Sequence, residues 1–476
     1  MNKENEVKTT RSVLTRLLPL VAALVLAGCA NVQTVEPVAA PAAPAAFKEL
    51  DGRWTQAQPA EAQARGEWWK TFGDPVLDEL VVRADRNSTS VQLAAARLNQ
   101  SRALLRAADA DRLPQVGVGA GASRSNTLVP GATKPITLLS AGASVAWEAD
   151  VFGRLAKASQ AAALDAQASE ALLQSTRLLV QSDVAGAYFS LRALDSERAL
   201  VRQTVEAYRD TLRLTERRYQ AGDVAELDLA RVQTEVASTQ SQALALDRQR
   251  AEVEHALAVL LGELPSQFGL KALGDADWNG TLPIVPPGVP STVLTRRPDV
   301  AAAQSSMLAA QKRVGVAQAA YFPDLSLTAN GGFASSDLGD LFKWSARSWG
   351  IGALLSLPVF DGGRREAGVK GANAQWDAAA AGYREQVLVA FRDVEDQLSA
   401  LRLLTDQASA QKQAVDAASR ATVLSTSRYR NGYVSQLELL DARRSELANR
   451  RQALQVRAAQ YQATVGLIRA LGGAWG

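Results

Sequence analysis

The chain has 476 residues and a formal net charge of +3, which argues against a nucleic-acid-binding protein, since such proteins carry a concentrated basic surface. It contains one histidine, His255, and one cysteine, Cys29, so neither a Cys–His or Ser–His catalytic device nor a His/Cys metal cluster is plausible. We therefore expect a protein that is not an enzyme and holds no metal; chemistry by carboxylates alone stays open at this point.

The N-terminus has the pattern of a bacterial lipoprotein signal. Basic residues as far as Arg16 precede the apolar run Leu17–Ala27, and the segment ends in the letters LAGC. A basic start followed by a short apolar run marks a secretory signal rather than a spanning helix. LAGC resembles the lipobox, so we expect residues 1–28 to be removed and Cys29 to carry a covalent lipid. The alternative is an incidental cysteine beside a conventional cleavage site.

The residues that follow the signal form a spacer. Residues 37–47 are rich in proline and alanine, a composition typical of a linker rather than of a core. We assign residues 29–66 to a lipidated N-terminal spacer and an equatorial segment. Because several buried acyl chains hold a protein firmly on a bilayer, the lipid on Cys29 would tether this spacer to the membrane. No other cofactor is expected.

The rest of the chain is a tandem duplication. A shift of 210 residues places Gly153 on Gly363 and Gly222 on Gly432 without a gap, and upstream a shift of 209 places Leu113 on Phe322. Self-similarity of this kind determines the architecture. We predict a first repeat at 67–281 and a second at 282–476. Each contains a helix, two strands, a very long helix, a tight tip and a return helix.

The repeats are divided at the following predicted boundaries. The first contains a helix at 75–112, a β-hairpin at 113–147, a long helix at 153–218, a tip at 219–225 and a return helix at 226–262. The second contains a helix at 298–322, a β-hairpin at 323–358, a long helix at 363–428, a tip at 429–435 and a return helix at 436–471.

The long helices have coiled-coil spacing. Leu194, Val201 and Tyr208 recur every seven residues, and no proline occurs between Arg154 and Arg217. A helix of about 64 residues would be on the order of 95 Å long. That length calls for a coiled-coil or tube-like setting, and a helix broken by kinks is the alternative.

The tips follow from local chemistry. Gly222 and Gly432 stand where a helix end needs a residue in the left-handed conformation. Ser435 and the glutamate three residues later form a capping box that would start the second return helix. Asp223 and Glu226 offer the same box in the first repeat.

The four strand segments have membrane-strand character. Residues 116–123, 139–147, 325–333 and 349–357 alternate apolar residues with small or polar ones. About ten residues suffice for a tilted strand to cross a bilayer, and one apolar face opposite a small, polar face is typical of a membrane barrel. Ordinary soluble hairpins are the alternative, but the lipoprotein signal and four matching segments favour the membrane.

Four strands cannot close a barrel, and open strand edges are not tolerated in lipid. Two chains would supply eight strands and three would supply twelve. The small residues on the inner face favour the wider lumen. We therefore predict a mixed α/β membrane protein: a trimer with a shared 12-stranded antiparallel β-barrel, four strands per chain, continued by a long helical barrel.

Several features together resemble the TolC-type outer-membrane efflux proteins, also called outer-membrane factors. They are the run EWWKTFGDPVLDELVVRA at 67–84, the lipobox, the two strand pairs and the two Arg-Tyr-x-x-Gly tips. The match is closest to the lipoprotein branch associated with resistance-nodulation-division pumps. The resemblance implies a homotrimeric channel-tunnel in the outer membrane, with its α-helical barrel in the periplasm. Ala30 after the lipidated cysteine suits that localisation.

The resemblance also implies a function. Such a protein is the passive exit duct of a tripartite efflux system that expels small toxic compounds or drugs, and it docks a periplasmic adaptor and an inner-membrane pump. An exit duct for type I protein secretion or for metal-ion efflux is the alternative. A periplasmic adaptor is a rival class, but it would have one helical hairpin and soluble β-domains instead of a duplicated unit.

The functional positions known for the family can be assigned one by one to residues of this chain. The resemblance places the periplasmic gate at Asp441 and Glu438, with Leu437 as the apolar constriction, a tyrosine lock at Tyr429 and an opposing acid at Asp228. The best-known member has an arginine two residues after its second tip glycine.

This chain has Val434 at that position, which puts the corresponding salt bridge in doubt. The candidates for adaptor docking are the residues of the two tips, namely Arg218, Tyr219, Gly222, Arg428, Tyr429 and Gly432. A purely structural role in the turns is the alternative for them.

Overall fold

A computed structural model describes residues 43–44, 46–49, 66–125, 135–273, 278, 280, 282–283, 285 and 296–473. The predicted signal peptide, the lipidation site Cys29, most of the N-terminal spacer and most of the linker between the repeats lie outside the described residues. None of the helices in the described ranges combines enough length with enough apolar residues to span a bilayer.

The two repeats contain the same series of elements. After a 3₁₀ turn at Trp68–Phe72, the first repeat comprises α1 (Pro75–Asn87), α2 (Thr89–Ala110), β1 (Gln115–Ser125), β2 (Ile136–Ala149), α3 (Arg154–Gln220) and α4 (Glu226–Leu260). The second comprises α5 (Pro298–Ala319), β3 (Asp324–Ser335), β4 (Arg347–Ser356), α6 (Arg364–Arg430) and α7 (Gln436–Ala470). The long helices α3 and α6 have 67 residues each, and the return helices α4 and α7 have 35 each.

The prediction of a single helix at 75–112 is wrong, because the helix is interrupted at Ser88. Asp74 caps α1 by accepting hydrogen bonds from the next two free N–H groups, and Pro75 occupies the first helical position. Ser88 then adopts a non-helical ψ of 124°, and its carbonyl accepts the N–H of Gln92 to begin α2. A serine that ends one helix and begins the next carries no signal in the apolar pattern.

The strands form one antiparallel sheet in the order β1-β2-β3-β4. The central pair β2–β3 joins the two repeats, with Ala149 opposite Leu325, while β1 and β4 are the two edges. A largely helical chain with four strands and an internal repeat confirms the predicted mixed α/β fold.

The described residues divide into two compact units. The strand unit comprises the sheet with residues 107–161 and 308–380, and the helical unit comprises the rest. Many apolar side chains of the strands are exposed within the single chain: Val118 is 87 % exposed and Ile351 is 82 % exposed. Such exposure is unusual for a soluble sheet and leaves apolar surface to be covered from outside the chain.

The helical unit has an aromatic core. Phe72 from the 3₁₀ turn packs on Phe189 of α3 with 4.8 Å between ring centroids, and Tyr461 of α7 lies 4.6 Å from Phe189 and 4.3 Å from Trp278. Trp68 is buried beside Phe72. The aromatic residues of the EWWKTF run are therefore structural, because they pack the start of the first repeat against α3 and against α7 of the second repeat.

Candidate functional site

The two helical tips have the same backbone geometry. Hairpin 1 (α3 and α4) and hairpin 2 (α6 and α7) turn at Gly222 and Gly432, whose φ angles are +81° and +76°. The following N–H groups close each turn: Asp223 donates to the Arg218 carbonyl at 2.8 Å, and Tyr433 donates to the Arg428 carbonyl at 2.9 Å. This pattern is a Schellman motif, in which glycine is favoured because other residues are strained at positive φ.

The two return helices begin differently. Ser435 caps α7 by accepting the N–H of Glu438 at 3.3 Å, as predicted. The matching position before α4 is Ala225, which has no side chain for the task. The capping box predicted at Asp223 is therefore wrong, because Asp223 already belongs to the tip turn two residues earlier.

The residues transferred to the gate lie on one face at the start of α7. Leu437, Glu438 and Asp441 are all exposed within the single chain, and Leu437 is 40 % exposed. On the opposite face, Leu440 is fully buried against Tyr208 and Val232 of hairpin 1. The structure thus groups three of the predicted gate residues on a surface that hairpin 1 does not cover.

Asp441 is linked to hairpin 1 through an arginine. Its carboxylate is 3.1 Å from Arg444 Nη1, one turn further along α7. The guanidinium of Arg444 also contacts the carboxylate of Glu235 on α4, and Glu235 is only 7 % exposed. This hydrogen bond with Glu235 raises the pKa of Arg444 above its usual value. Sequence reasoning missed both partners. Asp441 and Arg444 are an i, i+3 pair on one helix, whereas nothing in the pattern relates Arg444 to Glu235 on the other repeat.

Tyr429 contacts an arginine of the first tip. Its hydroxyl accepts a hydrogen bond from Arg218 Nη1 at 3.3 Å, and the guanidinium carbon lies 5.5 Å from the ring centroid. Tyr429 is 9 % exposed, so this contact is part of the packing between the hairpins. Asp228 instead pairs with Arg231 of its own helix at 3.5 Å. The contacts found in the described residues therefore do not bring Tyr429 and Asp228 together.

The candidate docking residues differ in accessibility. Arg428 is exposed, Tyr219 is 41 % exposed, and Arg218 is half-buried against Tyr429. Tyr433, directly after the second tip glycine, is 76 % exposed and was missed by the sequence reasoning. The repeat comparison hid it, because an aspartate occupies the matching position in the first tip.

The hairpins meet along a polar seam between α3 and α7. Gln436 Nε2 donates to Thr215 Oγ1 at 3.0 Å, and Arg443 Nη1 donates to Thr211 Oγ1 at 2.6 Å. Burial lowers the pKa of the Arg443 guanidinium. Tyr208 is fully buried in the same seam, and its hydroxyl has no hydrogen-bond partner there. Burial, and then the nearby Glu235 carboxylate, raise the pKa of Tyr208 to about 12.

These groups can bind cations weakly and can form latches, but their arrangement is not that of a metal centre. In the part of the chain that the structure describes, no three His, Cys, Asp or Glu side chains are placed to hold a metal ion together. The chemistry available at the tips consists of carboxylates on an open helix face, exposed or half-buried arginines and exposed tyrosines.

Comparison with known proteins gives consistent results for both repeats. The family model described as outer membrane efflux protein matches residues 80–263 and 289–473. The chain is 34 % identical over 434 residues to the pyoverdine export outer membrane protein OpmQ of Pseudomonas aeruginosa, covering 89 % of this chain and 90 % of that protein. It is 33 % identical over 471 residues to the solvent efflux pump outer membrane protein SrpC of Pseudomonas putida, covering 96 % of this chain and 98 % of that protein.

A solved structure shows the same fold. The outer-membrane channel OprN superimposes with a TM-score of 0.86 at 29 % sequence identity. The superposition covers 93 % of this chain and 99 % of the OprN chain.

Proposed function

The chain belongs to the outer membrane efflux protein family, and we propose that it is the outer-membrane channel of a tripartite efflux system. The observation that carries this proposal is the agreement over nearly the whole chain, which includes both long hairpins and all four strands. Its role is that of a passive exit duct without a catalytic step.

The working particle is a homotrimer in the outer membrane. Three copies supply twelve strands, enough for a barrel with an open lumen, and their long hairpins continue as a helical barrel into the periplasm. The helical end docks a periplasmic adaptor and, through it, an inner-membrane pump that supplies the energy. A lipid on Cys29 would add a second hold on the membrane.

The cargo class is small toxic compounds or drugs. By their names, OpmQ exports pyoverdine and SrpC serves a solvent efflux pump, so the names of the relatives give different cargoes. This breadth is consistent with a duct that does not itself select its cargo, and a resistance-nodulation-division pump is the partner we expect to do so.

The gate of the duct is the exposed start of α7. Threefold symmetry would convert Asp441 and Glu438 into rings of three carboxylates, with Leu437 as the apolar constriction beside them. Such rings attract cations and resist simultaneous ionisation. The contact of Arg444 with Asp441 and Glu235 supports a closed position of this face, since it ties the gate acid to hairpin 1. Tyr429 with Arg218 would lock the tip, and Asp228 would be a further acid of the gate on hairpin 1.

The test of the gate is the substitution Asp441→Ala in trimers reconstituted into planar bilayers. Loss of three negative charges from the constriction should raise the single-channel conductance and weaken block by divalent cations several-fold. Glu252→Ala is the matched control, because Glu252 is also an exposed acid paired with an arginine of its own helix. If Asp441→Ala and the control give the same conductance and the same block, Asp441 is not a gate residue.

The test of adaptor docking combines the loss of an aromatic side chain at one tip with charge reversal at the other. The double variant Tyr219→Ala/Arg428→Glu should abolish efflux and adaptor cross-linking in cells, because both side chains project from the tips and neither supports the buried seam. The trimer and its conductance should be unaffected. Arg248→Glu, an exposed site away from the tips, serves as the control. Normal efflux by the tip variant would show that the adaptor binds elsewhere.

A further inference from the structure

The sheet of a single chain has two edges that need a partner. Within the described residues β1 pairs only with β2, and β4 pairs only with β3. Strand edges facing lipid must be hydrogen-bonded, so in the proposed homotrimer, on which this inference rests, β4 of one copy pairs with β1 of the next. Antiparallel pairing then brings the end of β4 beside the start of β1 of the neighbouring copy.

The central β2–β3 pair of the same sheet shows which side chains meet where one strand ends beside the start of the next. β2 and β3 meet where the two repeats join, and Phe152, just after β2, stacks on Phe322, just before β3. Their ring centroids are 4.8 Å apart, with an angle of 17° between the rings. Both residues are half-buried. This aromatic pair closes the corner between the two repeats within one chain.

The junction between copies is the second instance of this arrangement. The shift of 209 residues that relates the repeats places Leu113, just before β1, on Phe322. The turn after β4 carries the pair Val359-Phe360, as the turn after β2 carries Val151-Phe152. The second turn has two more residues between this pair and the glycine that matches Gly153, so the two pairs are related by a shift of 208 residues. The contact equivalent to Phe152–Phe322 is therefore Phe360 of one copy with Leu113 of the next.

Both members of that equivalent contact are uncovered in the single chain. Phe360 is 89 % exposed, its neighbour Val359 is 91 % exposed, and Leu113 is 61 % exposed. Burial of an adjacent valine and phenylalanine would be favourable, and in the single chain this stabilisation is missing because both side chains face solvent. Each chain thus exposes Val359 and Phe360 at the β4 edge of its sheet and Leu113 at the β1 edge.

Leu113 lies in a groove at the base of β1 and β2. It has a volume of about 1000 Å³. Leu113, Trp147 and Val151 are among its apolar lining residues, and the charged residues Asp109, Arg112, Glu148 and Asp150 also line it. Its wall is held in place by the indole Nε1–H of Trp147, which donates to the Arg112 carbonyl at 3.0 Å. Val151 is 65 % exposed inside the groove.

We infer that Val359 and Phe360 of one copy dock into this groove of the next copy against Leu113, and that the contact closes the ring of copies at the base of the sheet. The second copy is the occupant, because the repeat supplies the matching contact inside the chain and because edge pairing brings the two surfaces together.

Disulfide trapping tests the contact directly in the double variant Leu113→Cys/Phe360→Cys. The chain has only one natural cysteine, Cys29, so few other thiols compete. Within one chain, β1 and β4 are separated by three strand spacings, roughly 14 Å, whereas a disulfide joins Cα atoms at most about 7 Å apart. A bond between the two new cysteines must therefore link different copies. Most of the oxidised protein should migrate as a covalent trimer on non-reducing denaturing gels.

The matched control is Leu113→Cys/Leu338→Cys, which keeps one partner and moves the other to the opposite end of β4. Leu338 is also an exposed apolar residue, at 71 %. This variant should remain monomeric on the same gel. Covalent trimers from the control pair in the same yield would show that trapping is unspecific and would overturn the assignment of Phe360.

The size of the particle in detergent, measured by light scattering, separates the two hypotheses. Intact trimers whose cysteines at 113 and 360 stay unlinked and react freely with a maleimide would overturn the contact and leave the proposed function standing. A particle of any other size would overturn both. As a second measurement, Phe360→Ala should lower the temperature at which trimers dissociate. Phe342→Ala, which removes another exposed aromatic side chain (70 %) at the other end of the sheet, should not. Equal temperatures would count against the contact.

Discussion

Tyr208, in the seam between the hairpins, combines a favourable and an unfavourable contribution to stability in one side chain. Its ring packs with Leu440 and Val232 in a small apolar cluster, but its hydroxyl is buried without a hydrogen-bond partner in the described structure. A buried, unsatisfied hydroxyl opposes folding, since the unfolded chain hydrates it. Tyr461, by contrast, donates its hydroxyl proton to the Gly280 carbonyl.

We expect Tyr208→Phe to stabilise the protein by about 1 kcal/mol at neutral pH, because it removes the unsatisfied hydroxyl and keeps the ring. Tyr461→Phe should destabilise it by a similar amount, because it removes the hydroxyl's hydrogen bond to the Gly280 carbonyl, which then keeps only Arg457 Nη2 as a donor. Thermal unfolding followed by helical circular dichroism measures both changes. A loss of stability in Tyr208→Phe would contradict the unpartnered hydroxyl.

The same tyrosine makes stability depend on pH. The pKa of Tyr208 is raised to about 12 in the folded protein, whereas it is near 10 in an unfolded chain. Because the unfolded state releases the proton first, this contribution to stability is complete below pH 10 and falls between pH 10 and 12. The wild type should lose more stability over that interval than Tyr208→Phe does. Parallel pH profiles would contradict this assignment.

At the scale of the element, both return helices end at a glycine that has a positive φ and no room for a side chain. Gly262 and Gly472 follow α4 and α7 with φ angles of +71° and +89°. A Cβ added to Gly262 would lie 2.3 Å from the Asn87 carbonyl oxygen, and one added to Gly472 would lie 2.7 Å from the Arg296 carbonyl oxygen. Asn87 and Arg296 are themselves related by the shift of 209 residues. Each hairpin therefore ends by packing its last turn against a backbone carbonyl at the matching position of its own repeat.

Gly472→Ala should destabilise the protein by roughly 1–3 kcal/mol, since the added methyl group meets a backbone oxygen at a strained φ. Gly382→Ala is the control, because Gly382 lies inside α6 with nothing within 4 Å of an added Cβ. The control should be stabilising by about 0.5–1 kcal/mol. Equal effects of both changes on thermal unfolding would mean that the close contact at Gly472 is not limiting.

At the scale of the whole molecule, the exposed apolar strands and the two unpaired edges require other material around the chain. Val118, Ile351 and Trp349 are among the most exposed apolar residues, and all lie on strands. A bilayer can cover the apolar face of such a sheet, and other copies can pair its edges. The homotrimer in the outer membrane meets both requirements.

The purified protein should consequently remain in solution only with detergent, as particles of three chains that resist mild heating. Light scattering in detergent gives the number of chains, and removal of the detergent should precipitate the protein, because the strand surfaces are then exposed to water. A monomer that stays dispersed without detergent would contradict the trimer, the channel and the corner contact together.

Local physical requirements made much of this molecule predictable from its sequence. Glycines recurring 210 residues apart mark backbone turns that only glycine adopts without strain, and these revealed the duplication. Apolar residues at every seventh position indicated long helices, and apolar residues at every second position indicated membrane strands. Each period follows from the local backbone geometry of a single helix or strand. The mixed fold with four strands per chain followed from these patterns, whereas the efflux family was indicated by a resemblance of the run at 67–84, the lipobox, the strand pairs and the tips.

Contacts between elements distant in the chain were decided only by the tertiary structure. The partner of Tyr429 is Arg218, and Arg444 joins Asp441 to Glu235 across the two repeats. No periodicity relates such residues, since their pairing depends on which faces of the hairpins pack together. The break at Ser88 also escaped prediction, because packing and capping outweigh a weak local preference. Sequence thus determined the elements and their repetition, while the fold determined which side chains meet at the tips.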